Sequence, residues 1–395
     1  MTHHSTELKT QLVSLGRDPK RDQGSVNPPV HRTSTVIFPD YATFKAYEEG
    51  RSDHIGYGRN GSPTTQGLEH ALATLEGADH AIITASGLAA ITTTMLALTK
   101  ASDHVLIPDS VYSSARLFFL HELPRMGVEV QFYDPTLGDG IAALMKPNTR
   151  IVYAESPGSL TFEMQDLPAL SKVAHAHSAL LVADNTWATP LLMRSFALGV
   201  DVSIHSCTKY IAGHSDLVMG AILCKDAQFK TLKRAHRNLG AVSNGDNAYL
   251  ALRGLRTIAV RLKQHQEHAL EVAQWLQTVP EVARVLYPAL PTDPGHALWK
   301  RDMSGATALF GVEITPSSDA QLAAFMDGLE HFGIGFSWGG YESLIISYDP
   351  STMRSATPQW QQQKRTILRL HIGLEAPADL IADLDAAFAR WRAAH

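Results

Sequence analysis

From about residue 80 to residue 207 the chain alternates short apolar runs with polar or helix-forming segments. The runs are "AIITAS", "HVLIPD", "VEVQFYD", "RIVYAESP", "ALLVADN" and "VSIHSC", and the segments between them include "LPALSKVAHAHS" and "PLLMRSFALG". Unbroken Val, Ile and Leu runs are strands covered on both faces, and helices between them make the crossovers of a parallel sheet. The pattern predicts an α/β domain with a mostly parallel central sheet, whose active groups lie at the carboxyl ends of its strands.

Residues 1–60 have little periodicity, and "NPPVHRTSTVIFPD" reads as an extended arm. From Ser62 a helix begins, with Ser62 as its cap, Pro63 in the first turn, Leu68, Leu72 and Leu75 on one face and Gly77 as its stop. A long helical stretch from Asp246 to Leu276 reads as a bridge to a smaller α+β domain. That domain has strands near "TALFGVEI", "SLIISY" and "ILRLHIGL" and an amphipathic last helix carrying Leu380, Leu384, Phe388 and Trp391. The expected division is an arm over 1–60, an α/β domain over 61–255 and an α+β domain over 256–395. "TPSSD" and "DPSTMRSATPQWQQQ" read as surface loops.

With a net charge of -5 and no Lys/Arg cluster, the chain lacks the electrostatic footprint of a nucleic-acid or membrane-surface binder. A small-molecule partner is expected. The stretch 81–99 is uncharged, but its threonines and Gly87 fit strand, turn and helix better than a membrane span. Cys207 and Cys224 match no disulfide or zinc spacing, and Cys207 reads as a small apolar core residue. The first residues, "MTHHSTELKTQL", have no signal-peptide pattern, so the expected compartment is the cytoplasm.

In "SIHSCTKYIAGHSD" one lysine, Lys209, stands where a buried strand runs into a glycine turn, with Ser206 and Thr208 beside it. "ALLVADN" ends on Asp184, and "AIITAS" delivers Ser86 and Gly87 to a helix start, where the Gly87 and Leu88 amides can hold an anion. A lysine for a Schiff base, an acid for a pyridine nitrogen and a phosphate cradle are the requirements of pyridoxal 5'-phosphate. Tyr112, at the end of another strand, is placed to stack on the ring. Arg369 lies in the apolar "ILRLHI", where an unpaired charge is costly and a structural ion pair is the plain expectation.

The ordered motifs "YGRNGSPTTQGLEHALATLEGA", "ASGLAA", "ADNTWATP", "SCTKYIAGHSDLVMG", "YLALRGLRT", "FSWGGYESL" and "LRLHIGLE" resemble those of the Cys/Met metabolism family of pyridoxal-phosphate enzymes. Within it, "SWGGYESL" with "LRLHIGLE" is most similar to the bacterial cystathionine β-lyases. The resemblance implies the fold-type I architecture and these roles: Lys209 as the Schiff-base lysine, Asp184 on the ring nitrogen, Tyr112 on the ring face, and Gly87, Leu88, Ser206 and Thr208 around the phosphate. It adds Tyr57 and Arg59 reaching the cofactor phosphate of a neighbouring subunit, and so a dimer that pairs into a homotetramer. It favours Arg369 as the grip on the substrate's α-carboxylate, with Ser337, Trp338 and Tyr57 lining that pocket and Asn185 near the ring.

The implied reaction is elimination across Cα and Cβ of L-cystathionine, with Lys209 removing the α-proton and protonating the leaving sulfur. The product set is homocysteine, pyruvate and ammonia. Phe336 stands where the family's γ-acting members commonly carry an acid before the serine, which argues against γ-chemistry; the similar β-lyases often carry tyrosine there. The rival readings are γ-synthase, γ-lyase or methionine γ-lyase chemistry on the same scaffold, a nicotinamide dehydrogenase, and a noncatalytic amino-acid binder. "GLAAI" lacks the full dinucleotide-binding glycine fingerprint. His265 and His268 have a helical spacing without further metal ligands and read as a solvated helix face.

Overall fold

A computed structural model describes residues 7–362 and 364–394, so residues 1–6 of the expected arm lie outside it. Among the described residues two sheets form. The larger contains β1 (His80–Thr84), β2 (His104–Pro108), β3 (Glu129–Tyr133), β4 (Thr149–Glu155), β5 (Leu180–Asp184), β6 (Val202–Ser206) and β7 (Gly220–Cys224), in the spatial order β1-β7-β6-β5-β4-β2-β3. Only β7 runs against its neighbours. All six apolar runs are strands, as their composition requires.

The smaller sheet contains β8 (Val282–Leu286), β9 (Leu309–Ile314), β10 (Gly333–Ile334), β11 (Leu344–Tyr348) and β12 (Thr366–His371), in the order β10-β11-β12-β9-β8. β8 and β10 have no counterpart in the sequence reading. β8, "VARVL", exposes Ala283 and Arg284 at its centre, and β10 is two exposed residues, so neither carries a buried-strand signal.

Local chemistry sets the helix ends. Ser62 Oγ accepts from Thr65 N while the Thr65 side chain answers the Ser62 amide, and Gly77 closes the helix Pro63–Glu76 at φ +81°. The segment read as a featureless arm contains two short helices, Leu8–Ser14 and Tyr41–Glu48, the second capped by Asp40. The uncharged 81–99 stretch divides into β1 and the helix Gly87–Leu98, and no helix among the described residues is long and apolar enough to cross a membrane.

The long helix Gly245–Leu276 joins the two sheets. Its first half, with Ala251, Leu255 and Ile258, packs with the helix Pro63–Glu76 and the Lys209 turn; its second half, with Ala269, Val272 and Leu276, enters the core shared with β9 and β12. His265 on this helix is fully buried, its Nδ1 2.9 Å from the Ile372 carbonyl, which corrects the expected solvated face. The packing of β12 against the helix covers it. The C-terminal helix Pro377–Ala393 buries Leu380, Leu384 and Phe388, as its stripe predicts.

Candidate active site

β4, β5 and β6 lie side by side at the centre of the large sheet, so their last residues emerge together. Glu155 is paired in register with Asp184, and Asp184 with Ile204. Lys209 follows β6 in a tight turn, closed by bonds from Ala212 N to the Cys207 carbonyl (2.9 Å) and from Gly213 N to the Lys209 carbonyl (2.8 Å). Burial, with the Arg369 guanidinium nearby, pushes the Lys209 ammonium down to about 8 against the pull of Asp184. A lysine so perturbed is partly free base near neutral pH. Cys207, buried in the same turn, has its thiol pushed up to about 12 by desolvation and stays a packing residue.

The Lys209 Nζ donates to Ser337 Oγ at 2.6 Å and lies 5.3 Å from the centre of the Trp338 ring. Ser337 has φ +78°, a left-handed conformation uncommon outside glycine. Its carbonyl accepts from Arg369 Nη2 at 2.9 Å. One residue therefore touches both candidate groups. Arg369 is only 8% exposed, and it has no carboxylate partner among the described residues; its Nε is buried and unbonded. Desolvation pushes the guanidinium down to about 10. The structural ion pair, the plain expectation for this arginine, is not formed among the described residues.

Asp184 Oδ1 accepts from Thr186 N at 2.9 Å. Burial pushes its carboxyl up, and the Thr186 hydroxyl and amide, His205 and Lys209 only partly offset it. Glu155, on the next strand, is driven up as well, by burial and by the Asp184 charge, so the two buried carboxyls oppose each other's ionisation. Glu155 Oε2 accepts from Tyr112 N at 2.8 Å, which fixes the turn bearing the Tyr112 ring. That ring is 43% exposed, and its hydroxyl accepts from Ser114 Oγ at 3.1 Å.

The helix Gly87–Leu98 starts with Ser86 as its cap, and Ser86 Oγ accepts from Ala89 N at 3.0 Å. The amides of Gly87 and Leu88 have no helical partner at that end. Gly220 pairs in register with both Thr84 and Ser206, which draws the helix start onto the end of β6. A Cβ on Gly87 would lie 2.6 Å from Ser206 Cβ and 2.8 Å from its Oγ, so only glycine permits this approach. Thr208 Oγ1 is engaged with Met219, accepting from its amide at 3.0 Å and donating to its carbonyl at 3.2 Å.

A buried carboxyl without a cation, a perturbed lysine and a glycine-lined helix start form the donor set that pyridoxal phosphate requires. These residues fit the group.

Four expected residues face solvent or make other contacts in the single chain. Tyr57 is 45% exposed, and Arg59 donates through Nη1 to the Arg237 carbonyl at 2.6 Å. Phe336 is 87% exposed. Asn185, expected near the ring, turns its amide onto Glu76 Oε1 (3.0 Å) and the Met193 carbonyl (2.9 Å). Glu76, ending the helix Pro63–Glu76, also accepts from Ser195 (2.5 Å), Ser203 (2.6 Å) and His205 Nε2. Sequence reasoning missed Glu155, Thr186 and this Glu76 cluster. The signal for Glu155 was available, as it ends the apolar run "RIVYAE" at the same edge as Asp184.

The described geometry has close relatives. The family model for Cys/Met metabolism PLP-dependent enzymes matches residues 9–389. A cystathionine β-lyase of Bordetella avium is 43% identical, with 98% of each chain covered. An L-alanine/L-glutamate racemase of Wolbachia pipientis is 43% identical, with 96% of each covered. The crystal structure of a cystathionine γ-synthase from Xanthomonas oryzae, in complex with aminoacrylate and cysteine, superposes with a TM-score of 0.89 at 34% identity over 99% of this chain and 100% of that one. The architecture is thus that of fold-type I pyridoxal-phosphate enzymes. Matched over nearly its whole length in sequence and in fold, the chain belongs to the Cys/Met metabolism family of pyridoxal-phosphate-dependent enzymes.

Proposed function

We propose that the enzyme eliminates across Cα and Cβ of L-cystathionine, giving homocysteine, pyruvate and ammonia, as a cytoplasmic homotetramer. The observation that carries the reading is the buried, carboxylate-free Arg369 joined to Lys209 through Ser337.

Lys209 would hold pyridoxal phosphate covalently, Asp184 its ring nitrogen and Tyr112 its ring face. Gly87, Leu88, Ser206 and Thr208 would hold its phosphate, with Tyr57 and Arg59 supplied by a neighbouring subunit. When bound, the group supplies an electron sink that acidifies the substrate's α-proton. Arg369 grips the α-carboxylate, a planar anion that guanidinium matches. Lys209 Nζ takes the α-proton; the Cβ–S bond then breaks with its electron pair on sulfur, and the same Nζ returns a proton to that sulfur. Ser337 Oγ keeps Nζ oriented while it is free.

Elimination at Cγ needs an additional proton removal, at Cβ. Phe336 can neither accept nor donate a proton where γ-acting relatives commonly carry an acid. L-cystathionine decides the matter: homocysteine with pyruvate supports the reading, and cysteine with 2-oxobutyrate as main products overturns it. The Wolbachia relative favours a second activity, in which the α-proton is returned to the opposite face and L-alanine is racemised. Loss of optical rotation from L-alanine, without pyruvate, measures that share.

A further inference from the structure

β11 and β12 are the two arms of a hairpin, and residues 349–362 of their connection leave the small sheet and lie against the large domain. Its anchor is Asp109, just past β2 and three residues before Tyr112. The carboxylate is buried and collects donors from the connection: Ser355 N (2.9 Å), Ser355 Oγ (3.0 Å), Ala356 N (2.9 Å) and Thr357 Oγ1 (2.6 Å). Arg116, on the other side of Tyr112, donates to Asp109 at 3.0 Å and to Ser355 Oγ at 2.7 Å. Burial raises the Asp109 carboxyl, but the Thr357 hydroxyl, the two amides and Arg116 outweigh it and hold the group ionised. The turn that presents Tyr112 is therefore gripped on both sides by the connection.

The same hairpin carries Arg369, paired in register with Ile346. Among the described residues Arg369 is itself bonded within the small domain, to the Ser337 and Gly335 carbonyls. Its position relative to Tyr112 must come from ties between the domains. One tie, Lys209 to Ser337, is given up whenever Lys209 turns to other chemistry. Others persist, among them Trp187 Nε1 to the Leu309 carbonyl (3.0 Å) and Trp360 Nε1 to Glu163 Oε1 (2.6 Å), and the Asp109 tie is the one beside the Tyr112 turn.

We infer that Asp109 is a positioning residue for the substrate: by seating residues 355–357 beside the Tyr112 turn, it sets the gap between Tyr112 and the Arg369 guanidinium. The inference rests on the reading of Arg369 as the carboxylate grip. It assigns a function to a stretch that from sequence reads as a surface loop.

The test uses holoenzyme carrying Asp109→Asn or Thr357→Val, each alone and combined with Arg369→Lys. The readouts are KM and kcat for L-cystathionine, the melting temperature, and the Kd of glycine from the change in cofactor absorbance. Glycine has the amine and carboxylate and no side chain to cleave. Asp109→Asn is expected to raise KM and the glycine Kd about tenfold with a much smaller change in kcat, the size of one lost hydrogen bond to a charged group. Thr357→Val is expected to act in the same sense and less strongly, and it decides alone if Asp109→Asn does not fold. In the Arg369→Lys background the Asp109 effect is expected to shrink, because the two act on one contact. An unchanged glycine Kd beside a lowered melting temperature, or an equal effect in both backgrounds, overturns the inference. If Arg369→Lys alone leaves glycine binding intact, the carboxylate reading itself falls, and the inference falls with it by a separately visible route.

Discussion

The two halves of the candidate site are built differently. The half from the large sheet, with Asp184, Lys209 and the Gly87 helix start, grows from adjacent strand ends and one helix cap, so its groups are delivered by secondary structure itself. The half from the small sheet consists of Arg369, Ser337 and Trp338, held by backbone carbonyls, a left-handed serine and ties to the other domain. The first half is locally determined. The second depends on how two domains dock, which makes it the place where substrate choice can vary without loss of the cofactor site.

The largest effect that sharpens this contrast is expected from Lys209→Ala, which removes acid, base and covalent anchor together and should lower pyruvate release by about 10⁴-fold or more. Borohydride reduction and peptide mapping should find the pyridoxyl adduct on Lys209 of the wild type and on no residue of the variant. The depressed Lys209 pKa also predicts a pH effect in the apoprotein. Between about 8 and the ordinary 10.5 the unfolded chain binds a proton that the folded chain has lost, so this group's destabilising contribution, full below 8, is relieved as pH rises through that window. Melting temperatures of wild type and Lys209→Met, compared across the window, should converge toward high pH.

Next in size is Arg369→Ala, expected to cost about 100-fold in kcat/KM through loss of a charge-assisted carboxylate contact, while cofactor absorbance stays intact. Loss of absorbance instead would show that the two halves are not separable. A smaller effect is expected from Gly87→Ala, whose new methyl meets Ser206 at the helix start. Overpacking of this kind costs about 1–3 kcal/mol, read as weaker pyridoxal-phosphate binding by equilibrium titration with a preserved KM in the loaded fraction. The smallest is Glu155→Gln. Burial and the Asp184 charge disfavour the Glu155 carboxylate, and the amide oxygen keeps an acceptor for Tyr112 N, so activity near neutral pH should stay close to wild type, whereas Glu155→Ala should disturb the Tyr112 turn. A large loss in Glu155→Gln would mean that the carboxylate charge is needed.

Apolar runs ending on Asp184 and shortly before Lys209 were enough to bring these residues to one sheet edge, because parallel strands present their carboxyl ends together. The same rule covers Gly87, since β1 runs with the rest. Several residues resisted. Asn185 goes to the opposite face from Asp184, toward a Glu76 carboxylate 109 positions away in sequence. His265 has surface-helix spacing, yet β12 packs over it. "DPSTMRSATPQW" has the composition of a loose loop, and it is fastened by a carboxylate 248 positions from Thr357.

By itself the sequence determined the class of fold, the cofactor-type donor set and the capped helix starts. Hydrophobic periodicity, capping and strand-end chemistry act over a few residues and need no partner. The tertiary structure decided that Arg369 has no carboxylate partner among the described residues, that Ser337 touches both Lys209 and Arg369, that Glu155 and Asp184 are buried side by side, and that residues 355–357 lock onto Asp109. Each of these depends on desolvation and on which distant segment fills the space beside a charge, and both are properties of packing between elements rather than of any one stretch of chain.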